Sequence, residues 1–233
     1  RLLDKGYDFC IVQAAGNGSN TSYTRAKCVN GQLQYDANGE YAIVTGKNKK
    51  SYNMLYMVNG EWQDFKVPKW EEKNIKYVKD MDAKDYSLLS KIKKSDFPDI
   101  YDRIIVVGAV DRDKKRSSYS NCNLSSENGR VDIYAPGGDT DSTNNKIFSL
   151  QPKNVYNDMD NNYMCGTSAA APHVSGVAAM VWSANSSLTG AEVKDIVCNT
   201  NRDDSWDLNI VNAESAVERA LNWESDGEET VTE

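Results

Sequence analysis

The sequence predicts an α/β fold with a mainly parallel sheet, because strand-sized apolar runs are followed by helical patterns along the 233-residue chain. Residues 7–15 and 103–110 are mostly apolar, which is typical of parallel strands covered on both faces. Residues 131–135 and 146–150 predict two shorter strands. From about residue 168 to 184 the apolar side chains recur at helical spacing instead, so a long helix follows the strands.

Two further helices are predicted after this long helix. Thr189 is followed three residues later by Glu192, a capping-box pattern that marks the start of a helix. Residues 212–221 again show apolar side chains at helical spacing. At the other end, the chain opens with Arg and with the pattern of a final helical turn that stops at Gly6. We interpret this opening as that of a piece cut from a longer protein.

Residues 19–100 differ in composition and predict an inserted, largely solvated α+β lobe, since they are rich in Lys, Asn, Tyr and Asp. Asn59-Gly60 predicts a hairpin with a type I′ turn. Residues 82–94 predict a short amphipathic helix. The acidic residues 223–233 predict a tail or linker.

Composition excludes several classes of function. The formal net charge of −7 argues against nucleic acid as a partner, because nucleic acids bind basic surfaces. No apolar run approaches the ~20 residues that a membrane helix needs. The five cysteines lack metal-site spacing, so free thiols are favoured, with one disulfide as the alternative. With a single histidine, a zinc site is not expected.

The stretch "CGTSAAAPHVSG" offers a candidate nucleophile, Ser168, where the sequence passes from strand to helix. Free backbone N–H groups at a helix N-terminus favour negative charge, which suits a serine that attacks a carbonyl. His173 stands five residues later and is the only histidine. Residues five apart on a helix are rotated by roughly 140°, so His173 is not on the face of Ser168. We therefore expect His173 to be a hydrogen-bonded packing residue, and the base to lie elsewhere.

The same stretch resembles the nucleophile motif of the subtilisin-like serine proteases, G-T-S-x-A-x-P-H-V-x-G. All fixed letters are present from Gly166 to Gly176. "VQAAGNGSN" resembles the oxyanion segment of that family and maps onto Asn17, while "VDIYAPGG" resembles the segment that precedes the nucleophile. The resemblance covers about residues 1–18 and 101–222, and it does not cover the insertion.

The resemblance implies a partial domain of the three-layer subtilisin-like fold, with the insertion emerging beside the substrate cleft. It implies that Ser168 is the nucleophile and that the Asn17 side chain and the Ser168 backbone N–H hold the oxyanion. It also implies that Ala14, Ala15 and Gly16 contact the polypeptide substrate. A neutral amide on a loop after a strand is, by itself, a suitable oxyanion donor.

The chain departs from the family at the other two triad positions, since neither D-[ST]-G nor H-G-T occurs in it. Asp132, in "VDIYAPG", corresponds by resemblance to a structural position. We therefore expect the catalytic Asp and His to come from an upstream segment of the same protein, and the isolated chain to be nearly inactive.

Two alternatives stay open. Sedolisins share G-T-S-A-x-x-P, but they use a glutamate base, lack the P-H-V-x-G continuation and carry an aspartate at the oxyanion position, so the sequence favours subtilisin. A pseudoprotease that serves as a binding or structural module would apply if the upstream segment lacked its Asp or His. By resemblance the protein is bacterial and secreted or on the cell surface, and its chemistry needs no cofactor. Calcium often stabilises the family, but this sequence assigns no ligands to it.

Overall fold

The structure is a computed structural model that describes residues 2–48, 51–83, 94–124, 131–150, 163–199 and 207–223. The chain forms two compact units, the first of residues 1–17 with 82–233 and the second of residues 18–81. Residues 82–100, which the sequence analysis counted with the insertion, thus belong to the first unit. The predicted helix at 82–94 falls mostly outside the described residues, as does the predicted tail after residue 223.

The described residues contain eleven strands and four α-helices. The strands are β1 (Ile11–Ala14), β2 (Thr21–Val29), β3 (Gln32–Tyr35), β4 (Glu40–Asn48), β5 (Ser51–Val58), β6 (Glu61–Lys66), β7 (Lys76–Val78), β8 (Ile104–Val110), β9 (Ile133–Pro136), β10 (Ile147–Phe148) and β11 (Tyr163–Met164). The helices are α1 (Pro98–Tyr101), α2 (Thr167–Ala184), α3 (Gly190–Asn199) and α4 (Ala213–Leu221), with short 3-10 turns at Leu3–Lys5, Glu72–Asn74 and Thr143–Asn145.

The first unit is built on a parallel sheet with the strand order β1-β8-β9. Ile11 pairs with Ile104, and Val107 pairs with Ile133. All seven residues of the central strand β8 are buried, as expected for a parallel strand that is covered on both faces. The predicted α/β fold with a mainly parallel sheet is therefore confirmed.

Side chains alternate along β8 between two separate cores, because successive residues of a strand point to opposite faces. Ile105 and Val107 belong to the core that also contains the buried faces of α2, α3 and α4. Ile104 and Val106 belong to a second core on the other face, which includes Tyr101 of α1. The sheet thus lies between two apolar layers.

Local signals fix the ends of the helices. At the start of α3, Thr189 N donates to Glu192 Oε2 at 2.7 Å and Glu192 N donates to Thr189 Oγ1 at 3.3 Å, which confirms the predicted capping box. At the start of α4, Asn212 Oδ1 accepts from Ser215 N at 3.2 Å. Gly6, after the first 3-10 turn, has the left-handed φ of 77° expected of a helix stop.

The second unit, residues 18–81, is an antiparallel sheet with the strand order β3-β2-β4-β5-β6, and β7 also pairs with β2. The Asn59-Gly60 turn between β5 and β6 has φ values of 52° and 85°, which confirms the predicted type I′ hairpin. A small core contains Ala26, Ala42 and Met54. This lobe therefore has an apolar interior of its own.

No described helix is long and apolar enough to cross a membrane. The five cysteines are free thiols, of which Cys122 and Cys198 are buried. Burial raises the pKa of the Cys10 thiol to about 11 and also raises the pKa of Cys198, so neither is a reactive thiolate at neutral pH. In the described part of the chain, no three side chains of His, Cys, Asp or Glu cluster as metal ligands would.

Candidate active site

Ser168 is the second residue of α2, and its side chain is exposed between the buried residues Thr167 and Ala169. The first N–H groups of an α-helix have no partner within the helix. Neither the Ser168 backbone N–H nor its hydroxyl has a hydrogen-bond partner within the described ranges. Both groups are therefore available to a bound molecule.

Asn17 lies three residues after the end of β1, and a single threonine fixes its side chain. Asn17 Oδ1 accepts from both Thr167 N and Thr167 Oγ1, each at 2.9 Å. Thr167 Oγ1 in turn accepts from Gly16 N at 3.1 Å. Because both Thr167 donors bind the oxygen of the amide, the Asn17 Nδ2 group is the end left to donate elsewhere.

Gly166 marks the point on which these groups converge. A methyl group added to its Cα would lie 3.0 Å from Ser168 Oγ, 3.4 Å from Asn17 Nδ2 and 3.7 Å from Ser168 N. Gly166 has φ 147° and ψ 157°, a backbone conformation that is essentially restricted to glycine. A hydroxyl and two N–H donors thus surround one small volume, which the missing side chain of Gly166 leaves open.

The loop that follows β9 holds Gly166 in place. Gly166 N donates to Gly137 O at 3.0 Å, and the Tyr119 hydroxyl donates to the carbonyls of Gly137 and Gly138. Burial raises the pKa of Tyr119 to about 12, so this hydroxyl keeps its proton at neutral pH. The start of α2 is therefore anchored to the carboxyl end of the sheet.

The residues predicted to contact substrate lie next to Asn17, and most of their backbone groups already have partners. Ala15 is fully buried, with its N–H bonded to Val107 O and its carbonyl to Asn121 Nδ2. The Gly16 carbonyl accepts from Asn121 N at 2.9 Å. Ala14 is the last residue of β1. A role for Ala14, Ala15 and Gly16 in substrate contact stays a prediction.

His173 forms a hydrogen bond one helical turn back, between its Nδ1 and Ala169 O at 2.9 Å. The expected hydrogen bond is therefore confirmed, whereas the expected packing is wrong for the chain as described, because the side chain is exposed. Asp132 immediately precedes β9, and its Oδ2 accepts from Val106 N at 2.8 Å while Lys194 Nζ is 3.8 Å from Oδ1. This is the structural role expected of Asp132.

Thr167 is the residue to which sequence reasoning assigned no role. It is 1% exposed and joins Gly16 to Asn17 across about 150 positions of sequence. In the sequence, only its place as the middle letter of the G-T-S motif marked Thr167 as a candidate, because a threonine at the start of a helix is otherwise an ordinary capping residue.

The parallel sheet, with Ser168 at the start of the long helix α2 and Asn17 facing it, is that of an α/β protein of the subtilisin-like class. A profile of the Subtilase family matches residues 3–220 of the chain. The chain therefore belongs to the subtilase family.

Two relatives are similar in sequence to this chain over part of their length. Subtilisin DY from Bacillus licheniformis is 32% identical over 126 residues, which cover 52% of this chain and 40% of the relative. M-protease from Shouchella clausii is 32% identical over 124 residues, covering 52% of this chain and 28% of the relative. The chain thus spans less than half the length of these curated relatives.

Solved structures are similar over a comparable share. A protease from Pseudoalteromonas arctica PAMC 21717 is 32% identical with a TM-score of 0.39, covering 50% of this chain and 36% of that one. A lanthipeptide protease is 21% identical with a TM-score of 0.41, covering 56% of this chain and 46% of that one.

Proposed function

We propose that this chain supplies the nucleophile and the oxyanion hole of a serine endopeptidase that hydrolyses polypeptides. The observation that carries the proposal is the arrangement around Gly166. One point lies 3.0 Å from Ser168 Oγ, 3.4 Å from Asn17 Nδ2 and 3.7 Å from Ser168 N. A reacting carbonyl needs a nucleophile and N–H donors at about this range, on different sides of the same small volume.

The chemistry is acyl transfer. Ser168 Oγ forms a bond to the carbonyl carbon of the substrate while its proton passes to a base, and the π electrons move onto the carbonyl oxygen. Asn17 Nδ2 and the Ser168 N–H donate hydrogen bonds to this oxyanion. Collapse of the intermediate breaks the C–N bond, the amine leaves with a proton, and water then hydrolyses the ester on Ser168. Thr167 acts as a positioning residue, because it fixes the amide of Asn17.

We propose that the base and its orienting carboxylate come from an upstream segment with an Asp and a His. The only histidine of this chain, His173, bonds to its own helix. Loss of the triad histidine costs roughly 10⁶ in turnover, a figure measured on a subtilisin itself and not worked out from this chain. The isolated chain is therefore expected to be nearly inactive, and the reassembled protein active without a cofactor in the chemical step. We also propose a secreted or cell-surface location, as for the bacterial relatives that it resembles.

The test is labelling with a fluorophosphonate followed by intact mass, on the chain alone and mixed with its upstream segment. Labelling is expected only in the mixture, and Ser168→Ala abolishes it. Ser175→Ala is the matched control, since Ser175 is an exposed serine of the same helix whose hydroxyl bonds to Ala171 O. Labelling that survives Ser168→Ala would contradict the assignment of the nucleophile.

The second candidate function is that of a pseudoprotease, retained as a binding or structural module. It predicts no labelling in the mixture even though both pieces are folded, and no peptide hydrolysis by the full-length protein. The free Ser168 hydroxyl and N–H favour the peptidase, because a binding module has no chemical need for either.

A further inference from the structure

The second unit, residues 18–81, contains a cavity of about 500 Å³ that the proposed peptidase chemistry does not use. Its lining includes the tyrosines Tyr23, Tyr35 and Tyr41 and the polar residues Thr24, Glu71 and Asn74. This volume lies within the range of small-ligand sites in proteins. Aromatic walls with a few converging polar groups are also typical of such sites.

Glu71 is a buried carboxylate without a counter-cation. It is 5% exposed, its Oε1 accepts from Thr24 Oγ1 at 3.1 Å, and its Oε2 accepts from Asn74 Nδ2 at 3.1 Å. Both donors are neutral. Among the described residues, no Lys or Arg nitrogen lies within 4.0 Å of the Glu71 carboxylate. A buried charge is costly unless it is paired, so this site lacks a positive group.

Tyr35, on the same cavity, carries a buried hydroxyl without a partner. Its Oη forms no hydrogen bond in the described structure, although its ring packs edge-on against Trp70 at 5.5 Å. Burial, and after it the charge of Glu71, raises the pKa of Tyr35, so the hydroxyl stays protonated. Buried tyrosine hydroxyls usually find a hydrogen-bond partner. An unpartnered hydroxyl and a buried carboxylate with only neutral donors thus belong to residues that line one cavity.

The other charged residues that line the cavity make contacts with groups other than Glu71 or are exposed. Asp36 is paired with Lys27 at 2.6 Å. The Arg25 guanidinium lies 4.2 Å from the centre of the Tyr41 ring and donates to Ala37 O at 3.3 Å. Lys76 belongs to the lining and is exposed. Among the described lining residues, Glu71 is therefore the buried charge without an ion-pair partner.

We propose that this cavity binds a basic side chain, lysine or arginine, of a polypeptide. The cationic head bonds to the Glu71 carboxylate and to the Tyr35 hydroxyl, so the carboxylate gains a positive counter-charge and the hydroxyl gains a hydrogen-bond partner. Tyrosine rings suit the alkyl stem and the delocalised charge of such a side chain. The assignment rests on the second unit alone and does not depend on peptidase activity.

The test is calorimetric titration of the whole 233-residue chain with acetyl-Gly-Arg-Gly-amide, its lysine counterpart and its citrulline counterpart. The basic peptides should bind saturably, and citrulline, which is neutral with a similar shape, should bind about tenfold or more weakly, because hydrogen bonds to charged groups are worth that much. Titration with guanidinium ion is a further probe. It distinguishes recognition of the cationic head group alone from recognition of the whole peptide. The proposal is overturned if neither basic peptide binds, or if citrulline binds equally well.

Two variants locate the site. Glu71→Gln keeps the shape and removes the charge, so binding of the arginine peptide should weaken about tenfold or more. The matched control is Glu61→Gln, on an exposed residue of β6 in the same unit, which should leave binding unchanged. Equal effects of the two substitutions would refute a site at Glu71.

If the Glu71→Gln variant does not fold, the Tyr35→Phe variant is used for the same binding measurement. Since the hydroxyl has no partner in the protein, its removal should leave the melting temperature unchanged or higher while binding of the arginine peptide weakens. A lower melting temperature with unchanged binding would mean that the hydroxyl serves the fold instead, and would overturn the proposal.

Discussion

Replacing Gly166 by alanine tests the geometry of the proposed oxyanion hole most directly. The added methyl would lie 3.0 Å from Ser168 Oγ, 3.4 Å from Asn17 Nδ2 and 3.7 Å from Ser168 N, within the volume that the substrate oxygen would occupy. Loss of one oxyanion donor costs about 10²–10³ in turnover, a figure measured on a subtilisin itself. Because the methyl obstructs both donors, the fluorophosphonate labelling rate of the reassembled protein should fall by about 10² or more.

The same substitution also carries a backbone penalty. At φ 147° and ψ 157° a residue with a Cβ is strained by about 1–3 kcal/mol, so the variant should also unfold at lower urea. Gly6→Ala is the matched control, since Gly6 has φ 77° and nothing lies within 4 Å of an added methyl. Gly6→Ala should lose stability and keep its labelling rate. A folded Gly166→Ala that is labelled at the wild-type rate would refute the reasoning.

Two other predictions concern contacts that hold the first unit together. Thr167→Val keeps the shape but leaves the Gly16 N–H without its partner, so urea unfolding should show a loss of about 1–3 kcal/mol and labelling should slow. An unchanged unfolding curve would contradict the bridging role of Thr167. The pKa of Asp8 is lowered in the folded chain, chiefly by its hydrogen bond from Arg103. The stabilisation from Asp8 is therefore complete above the pKa of the unfolded state, and it disappears as the pH falls through the pKa of the folded state. Asp8→Asn should therefore destabilise the chain at pH 7 and much less near pH 3, and an equal loss at both pH values would exclude the ion pair as the cause.

Local sequence carried enough information for the main elements of the first unit and for one hairpin of the second. The capping of α3 by Thr189 and Glu192 involves residues three apart, and the Asn59-Gly60 turn depends on two neighbouring residues that tolerate positive φ. The apolar run of β8 likewise predicts a covered strand. Strand ends were predicted less closely, since β1 begins at Ile11 rather than at residue 7. Pairing with a neighbouring strand, which a local pattern does not encode, decides where a strand starts.

Some residues of the candidate site could likewise be predicted from the sequence, and others became apparent only in the structure. The motif from Gly166 to Gly176 pointed to Ser168, and the resemblance of "VQAAGNGSN" to the oxyanion segment of the family pointed to Asn17. The role of Thr167 emerged only in the folded chain, because its bonds to Asn17 span 150 positions of sequence. The exposure of His173 also depends on which elements cover its helix, and helical periodicity alone does not fix that.

The sequence by itself determined the main strands and helices of the first unit, the Asn59-Gly60 turn and the family, because each of these depends on neighbouring residues or on a contiguous motif. Tertiary structure alone decided which distant groups share a volume. The carboxylate of Glu71 meets Thr24 across 47 positions, and the hydroxyl of Tyr35 is left buried beside the same cavity. Burial and long-range hydrogen bonding arise only when distant parts of the chain pack together, so a buried group that lacks a partner can be recognised only in the folded structure.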